Sequence, residues 1–203
     1  MEYSVQIVDN FYQTPDVIRK YALEQKFYKR PGTYPGLRTD RISDLNPELF
    51  KYFANKLVKL YFKNKKVEYD IITNFQMIDN QYNIGCIHRD AVNIDVAGVV
   101  YLTPQAPIQT GTSIFTPIVE PLNDCTVPTD PLSIDNINMT EYNTKLSTYN
   151  NQFERTLEIG NVYNRLVVYP AQYWHAQSGF FGDNLQNSRL TQVFFAKFIL
   201  HDT

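Results

Sequence analysis

The chain has 203 residues, and its 19 Lys and Arg against 21 Asp and Glu give a formal net charge of -2. A pI near 5.9 excludes a generally basic nucleic-acid footprint, so we do not expect a nucleic-acid partner. The length suits one well-packed domain, and the 43% of hydrophobic residues can form a substantial core. We therefore predict a single domain over residues 1–203.

Cysteine usage and the N-terminus indicate the compartment. The two cysteines, Cys86 and Cys125, are far apart and form no CxxC motif, which argues against a disulfide scaffold and against a zinc finger. The N-terminus lacks a basic start followed by an apolar run, and no stretch of roughly 18 apolar residues occurs. We therefore expect an unsecreted, cytoplasmic protein without a membrane partner.

Residues 1–66 are predicted to form a helical support. A short strand over 5–8 precedes Thr14 and Pro15, which predict the start of a helix running to about residue 27. A second helix is predicted to begin at 46–48. Its apolar residues recur at spacings of three and four, which places them on one face that packs against a sheet: Phe50, Phe53, Leu57 and Tyr61.

Over residues 67–200 the hydrophobic period changes to two, and β-branched and aromatic residues dominate. This succession predicts a mainly β fold with flanking α, of jelly-roll type. The predicted strands cover residues 67–78, 84–88, 96–103, 112–116, 166–169 and 190–200.

The segment from about 117 to 160 is polar and contains several prolines, although a helix is predicted within 140–153. We interpret it as an insertion between core strands. A loop of this length is usually functional or disordered. Two interpretations stay open, a lid that selects substrate and a solvated excursion without contact to substrate.

The central candidate site is a metal site made by His88, Asp90 and His175. Side chains at positions i and i+2 of an extended segment point to the same side, so His88 and Asp90 can reach one ion. A third ligand must come from elsewhere, and the other histidine, His201, lies close to the C-terminus. Two imidazoles and a carboxylate form the facial triad of non-haem Fe(II) oxygenases.

Each of these residues also has a structural interpretation. His88 alone is compatible with a core histidine, Asp90 with a turn residue, and His175 with a side chain that follows a buried Trp174. Their combination with Arg189 and the flanking strand patterns favours the metal site. Cys86 shares the alternation of His88 and Asp90, but a small buried hydrophobic role is favoured over a fourth ligand.

Five motifs surround these residues in a fixed order. They are YNIGCIHRD at 82–90, DVAGVVYLTP at 95–104, GTSIFTP at 111–117, NRLVVYPAQYWH at 164–175 and SRLTQVFFAKF at 188–198. In these motifs the chain resembles the 2-oxoglutarate and Fe(II)-dependent oxygenases, within the prolyl-4-hydroxylase-like group that includes small bacterial and phage members. A phage-encoded member would act in the host cytoplasm.

The resemblance implies a double-stranded β-helix, a jelly-roll and cupin-like fold buttressed by the N-terminal helices. It also implies Fe(II) and dioxygen as cofactors, with 2-oxoglutarate as cosubstrate. The implied metal ligands are His88, Asp90 and His175, and the implied cosubstrate residues are Arg189, Thr191, Tyr101 and Tyr82. Arg189 lies 14 residues beyond His175, a longer gap than many relatives show.

The expected reaction is hydroxylation of a C–H bond, with release of succinate and carbon dioxide. The substrate is expected to be a protein or peptide side chain, such as a prolyl residue, or a free amino acid or other small metabolite. Two alternatives stay open. The first is a cupin-type metal-binding jelly roll without 2-oxoglutarate chemistry, and the second is a non-catalytic binding or structural module.

Overall fold

The computed structural model describes residues 2–29, 34–63, 66–118, 131 and 137–199. Within these residues the elements in chain order are β1 Gln6–Val8, α1 Pro15–Leu23, β2 Leu37–Arg38, α2 Ile42–Leu45, α3 Pro47–Phe62, β3 Glu68–Ile78, β4 Val96–Tyr101, β5 Thr112–Pro117, α4 Met139–Asn150, β6 Phe153–Ile159, β7 Leu166–Pro170, β8 Trp174–Gln177 and β9 Arg189–Ile199. None of the helices described is long and apolar enough to cross a membrane.

The strands form two antiparallel sheets. The larger sheet has the order β1-β7-β4-β9-β3-β2, and the smaller has the order β6-β5-β8. Strand β9 pairs with β3 over its whole length and with β4 on its other side. An apolar cluster lies between the sheets and joins Val99 and Val193 of the larger sheet to Ile114 and Ile159 of the smaller.

Alternation along β9 gives the larger sheet two different faces, because successive side chains of a strand point to opposite sides. Val193 packs into the cluster between the sheets. Leu190 and Phe194 belong instead to the cluster that includes the helices. Arg189 and Thr191 share the parity of Val193, so they face the interior between the two sheets.

Helix α3 covers the outer face of the larger sheet. It begins after Asn46, whose side chain accepts a hydrogen bond from the Leu49 backbone N–H, and Pro47 occupies its first turn. Phe53 is fully buried, and its ring lies 5.1 Å from that of Phe194 on β9. Helix α3 therefore packs against the larger sheet through this contact.

Most predicted strands are confirmed, with ends that differ by at most two residues, but several local predictions are wrong. The first helix ends at Leu23 rather than near residue 27, because Tyr28 forms a bridge with Arg38 and requires an extended backbone. Residues 84–88 form no strand and make only a bridge between His88 and His175. Strands β2 and β8 were not predicted.

The prediction of a polar insertion is wrong over residues 153–159, because these residues form strand β6 and pair with β5. Strand β6 lies at the edge of its sheet, and only Phe153 and Ile159 are buried along it. An edge strand with exposed central residues lacks the alternation by which strands are predicted. The predicted helix is α4, and residues 119–130 and 132–136 lie outside the described residues.

Cys86 also differs from expectation, because it is disulfide-bonded. Cys125 lies outside the described residues. Disulfides persist mainly in oxidising compartments. The cysteines therefore no longer support the prediction of a reducing, cytoplasmic environment.

We expect Phe53→Ala to lower the free energy of unfolding by about 3–5 kcal/mol, because it removes a fully buried ring between α3 and β9. Tyr52→Ala on the same helix is the control, since Tyr52 is 39% exposed. Urea unfolding of both variants measures the difference. Equal losses would contradict the assignment of Phe53 to the interface between helix and sheet.

Candidate metal centre

The backbone brings the two histidines of the candidate site together. The His88 N–H donates to the His175 carbonyl at 3.0 Å, and the His175 N–H donates to the His88 carbonyl at 2.9 Å. The Asp90 N–H donates to the Ala171 carbonyl at 2.9 Å. Residues 88–90 therefore run beside residues 171–175, which brings His88 and Asp90 close to His175.

His88, Asp90 and His175 form a facial-triad-like cluster. Each offers one ligand atom, and these atoms all lie within 4.8 Å of one another. The imidazole centroids are 4.4 Å apart, and His175 Nε2 lies 3.6 Å from Asp90 Oδ2. The three residues predicted to bind one metal are therefore brought together.

Hydrogen bonds also set the tautomers of the two imidazoles. His88 Nδ1 lies 2.9 Å from the Cys86 carbonyl, and His175 Nδ1 lies 2.9 Å from the Tyr173 carbonyl. Because a carbonyl only accepts, each Nδ1 carries the proton and each Nε2 keeps its lone pair. Metal-binding histidines usually have this arrangement.

Burial shifts the pKa values of Asp90 and His175 in this cluster. Burial raises the pKa of Asp90 to about 6, while His88 and Arg38 act in the opposite direction. Burial lowers the pKa of His175 well below its ordinary value, and His88 lowers it further. Asp90 Oδ2 is buried without a hydrogen-bond partner in the described structure. A buried carboxylate oxygen without a hydrogen-bond partner, beside two imidazole Nε2 atoms, fits a divalent metal ion.

Helix α4 helps to hold the segment that carries His88. Asn150, at the end of α4, donates from Nδ2 to the Gly85 carbonyl at 2.9 Å and accepts from the Ile87 N–H at 3.2 Å. This residue was not predicted, because no sequence pattern indicates which backbone a distant amide contacts. Helix α4, which lies within the predicted insertion, therefore contacts the segment that carries His88.

Arg189 lies in the same cleft as the cluster, with only 2% of its surface exposed. It donates from Nε to the Thr110 carbonyl at 3.1 Å and from Nη2 to the Gly111 carbonyl at 3.3 Å. Its Cζ lies 5.4 Å from the Tyr101 ring centroid. Among the described residues no carboxylate forms an ion pair with Arg189, and burial lowers its pKa. Such a buried cation favours an anionic ligand.

The remaining predicted cosubstrate residues are placed differently. Tyr101 and Thr191 are fully buried and are register partners on β4 and β9, and Thr191 Oγ1 has no described hydrogen-bond partner. The Tyr101 hydroxyl pairs with Thr112 Oγ1 at 2.8 Å. Tyr82 instead lines a smaller adjacent cavity, where its hydroxyl accepts from the Gly36 N–H at 2.8 Å.

The cleft contains polar residues that were not predicted. It encloses about 450 Å³, including the part open to solvent, and its lining includes Arg38, Gln76 and Tyr169. The Tyr169 ring lies 4.5 Å from the His175 ring. Residues 166–169 of β7 are all buried, so no alternation along this strand distinguishes Tyr169 in the sequence. Arg38 lies on a two-residue strand that gives no period to detect.

We expect Asp90→Asn to stabilise the metal-free protein by roughly 2–3 kcal/mol at pH 8 and to abolish binding of Ni(II). Because the folded-state pKa of Asp90 is raised to about 6, the folded chain binds an extra proton between pH about 4 and about 6. Stability of the metal-free protein therefore falls as pH rises through this window, and metal binding tightens. Urea unfolding and calorimetry across pH measure both effects. The exposed Asp44→Asn is the control, and an unchanged pH profile in Asp90→Asn would contradict the assignment.

We expect Asn150→Ala to weaken Ni(II) binding by about tenfold, because residues that orient metal ligands commonly contribute effects of this size. The loss of its two hydrogen bonds frees the backbone at 85–87. Asn151→Ala is the matched control, since the neighbouring side chain is exposed. Isothermal titration calorimetry compares the two variants, and equal affinities would show that α4 does not position His88.

Comparison with known proteins gives both a fold and a family. A prolyl hydroxylase from Trichoplax adhaerens, in complex with a hypoxia inducible factor oxygen degradation domain peptide fragment, matches with a TM-score of 0.55 and 12% identity, over 95% of this chain and 83% of that chain. HygX from Streptomyces hygroscopicus, with nickel, 2-oxoglutarate and hygromycin B bound, matches with a TM-score of 0.57 and 10% identity, over 95% and 82%.

A 2OG-Fe(II) oxygenase family oxidoreductase from Burkholderia pseudomallei matches with a TM-score of 0.54 and 12% identity, over 95% of this chain and 84% of that chain. At these identities the likeness shows a common fold. Among curated protein sequences, none matches. The model of a family of unknown function, DUF6445, matches residues 2–196. This match covers nearly the whole sequence, and the chain therefore belongs to the DUF6445 family.

Proposed function

We propose that this protein is an Fe(II)- and 2-oxoglutarate-dependent dioxygenase with a double-stranded β-helix fold, which hydroxylates a C–H bond. The observation that carries the proposal is the pairing of two complementary features in one cleft. A cluster of two imidazoles and one carboxylate lies at one position, and a buried arginine without a described carboxylate partner lies at another. The first suits a metal ion and the second suits the far end of a dicarboxylate.

The proposed metal ligands are His88 Nε2, His175 Nε2 and a carboxylate oxygen of Asp90. Three ligands from one side leave coordination positions open for a cosubstrate and dioxygen. Bound Fe(II) with 2-oxoglutarate supplies oxidative chemistry, with succinate and carbon dioxide as coproducts. The chain itself orients both imidazoles through their Nδ1 hydrogen bonds and excludes water from Asp90.

Arg189 is the proposed partner of the far carboxylate of 2-oxoglutarate. Its planar guanidinium donates parallel hydrogen bonds to a carboxylate and stays charged. The carbonyls of Thr110 and Gly111 already fix its orientation. Thr191 Oγ1, which has no described partner, is the second proposed donor, and Tyr101 packs beside the guanidinium. Tyr82 lines the adjacent cavity, and we assign it no contact with 2-oxoglutarate.

The substrate is proposed to be either a protein or peptide side chain, such as a prolyl residue, or a free amino acid or small metabolite. The structural relatives include one with a peptide and one with hygromycin B, so this fold accepts both classes. A cupin-type metal protein without 2-oxoglutarate chemistry would have no use for the buried Arg189. A non-catalytic module would have no use for the complete ligand cluster either. Both alternatives are therefore less well supported.

We expect anaerobic titration of the metal-free protein with Fe(II) and 2-oxoglutarate to produce a visible metal-to-ligand charge-transfer band. His88→Ala should abolish the band, because it removes a metal ligand. Arg189→Gln should weaken 2-oxoglutarate binding by about tenfold or more while Fe(II) still binds, because the charge-assisted hydrogen bonds to the far carboxylate are lost.

The control for Arg189 is Arg155→Gln, since the Arg155 side chain is 52% exposed and pairs with Glu158. Its band and its 2-oxoglutarate affinity should equal those of the original protein. Normal Fe(II) binding without any band would contradict the proposed function and favour a cupin-type metal protein. Formation of succinate under air, measured by mass spectrometry, provides the second readout.

A further inference from the structure

The wall of the cleft contains a buried phenol whose hydroxyl the proposed chemistry does not use. Tyr169 lines the cleft, and only 6% of its surface is exposed. Its ring lies 4.5 Å from the ring of His175, at an angle of 43°. Within the described residues its hydroxyl forms no hydrogen bond. Because a buried tyrosine usually has a hydrogen-bond partner, an open donor at the wall of a cleft indicates a ligand.

The second buried tyrosine of this face is already engaged. Tyr101 lies on the neighbouring strand β4, and its hydroxyl pairs with Thr112 Oγ1 at 2.8 Å. A phenol has only one proton to donate, so a ligand would have to compete with Thr112 for it. The Tyr169 hydroxyl has no such competitor, and its proton is available to a bound molecule.

The strand register places the backbone of Tyr169 at the metal end of the cleft. Tyr169 is the register partner of Ala97 on β4, and Ala97 is the partner of Phe195 on β9. Arg189 lies at the start of β9, and the interval from 189 to 195 corresponds to roughly 20 Å along the strand. The two residues therefore enter the cleft from opposite ends, and the contact with His175 identifies the end of Tyr169 as that of the cluster.

The hydroxyl of Tyr169 is a donor held between two charged groups. It is close enough to Asp90 and to Arg189 for both charges to act on its ionisation, in opposite directions. Burial, with the charge of Asp90, raises the pKa of Tyr169 well above its ordinary value, so the phenol keeps its proton at neutral pH. It therefore offers a neutral O–H group to an anionic oxygen.

We propose that the Tyr169 hydroxyl donates a hydrogen bond to the ketoacid end of 2-oxoglutarate, which is the end that binds the metal. This inference rests on the proposed function and adds a binding residue to it. Arg189 holds the far carboxylate, so the two residues divide the recognition of one molecule. The contact between the rings of Tyr169 and His175 restricts rotation of the phenol, which lowers the entropic cost of forming the bond.

A purely structural role of Tyr169 leads to a different expectation. If only the ring matters, phenylalanine fills the same space and leaves every property of the site unchanged. Burial of a hydroxyl without a partner also costs free energy, so Tyr169→Phe should not lower the free energy of unfolding of the metal-free protein. Urea unfolding measures this quantity before any ligand is added.

The test follows the charge-transfer band of the complete chain during anaerobic titration with Fe(II) and 2-oxoglutarate. Formation of the band in the original protein tests the proposed function alone. Tyr169→Phe should weaken 2-oxoglutarate binding by about five- to tenfold and leave Fe(II) affinity within about twofold, because the lost bond joins the hydroxyl to an anionic ligand. It should also displace the band maximum, because a donor at the ketoacid end alters the orbital energies between which the electron moves.

A second variant changes the strength of the donor and keeps the ring. Replacement of Tyr169 by 3-fluorotyrosine makes the phenol more acidic and therefore a stronger donor. It should displace the band in the direction opposite to Tyr169→Phe, and it replaces that variant if Tyr169→Phe does not fold. Tyr52→Phe is the control, since Tyr52 is 39% exposed on α3, and it should change neither the affinity nor the band.

Two results would overturn the inference. One is a band and a 2-oxoglutarate affinity that are the same in the Tyr169 variants and in the original protein. The other is weaker 2-oxoglutarate binding with an unmoved band, which would assign the hydroxyl to the far carboxylate beside Arg189. Absence of any band in the original protein, with Fe(II) bound, would instead count against the proposed function.

Discussion

The candidate site depends on one backbone interaction, the reciprocal pair of hydrogen bonds between His88 and His175. These two bonds join segments that are far apart in the sequence and set the separation of two imidazoles before any ligand binds. His175 is in turn the register partner of Ile114 on β5, so the smaller sheet supports the position of both rings. Without this bridge, the three ligand atoms would become ordered only when a metal ion binds, and this ordering would cost conformational entropy.

The interior of the cleft holds charges that folding alone does not favour. Asp90 and Arg189 are both buried, and neither forms a described ion pair that would neutralise it fully. Burial of an uncompensated charge costs free energy unless a partner arrives. Such groups lower the free energy of unfolding of the ligand-free protein but prepare the site for binding. Ligands that bind only the folded state raise the free energy of unfolding again.

Sequence patterns predicted the elements with a strong period, namely α3 and most strands of the larger sheet, and the i, i+2 spacing indicated the ligand pair at His88 and Asp90. They did not predict what depends on contacts between distant segments. Residues 84–88 alternate like a strand but form none. A Cβ at Gly85 would lie 2.7 Å from the Gln177 carbonyl, so the two backbones approach each other very closely there. The Gly85 carbonyl accepts a hydrogen bond from the Asn150 side-chain amide rather than from a neighbouring strand. Arg38 enters the cleft only through the register of β2 with β3.

Strand β9 presents Arg189 to the cleft and the adjacent Leu190 to the helices. Because its side chains alternate, insertion or deletion of a single residue within the strand would exchange these two environments and bury a charge among aromatic rings. The loop between β8 and β9 carries no such constraint, since its length alters no register. A change of length in this loop therefore leaves Arg189 facing the cleft, whereas the same change within β9 does not.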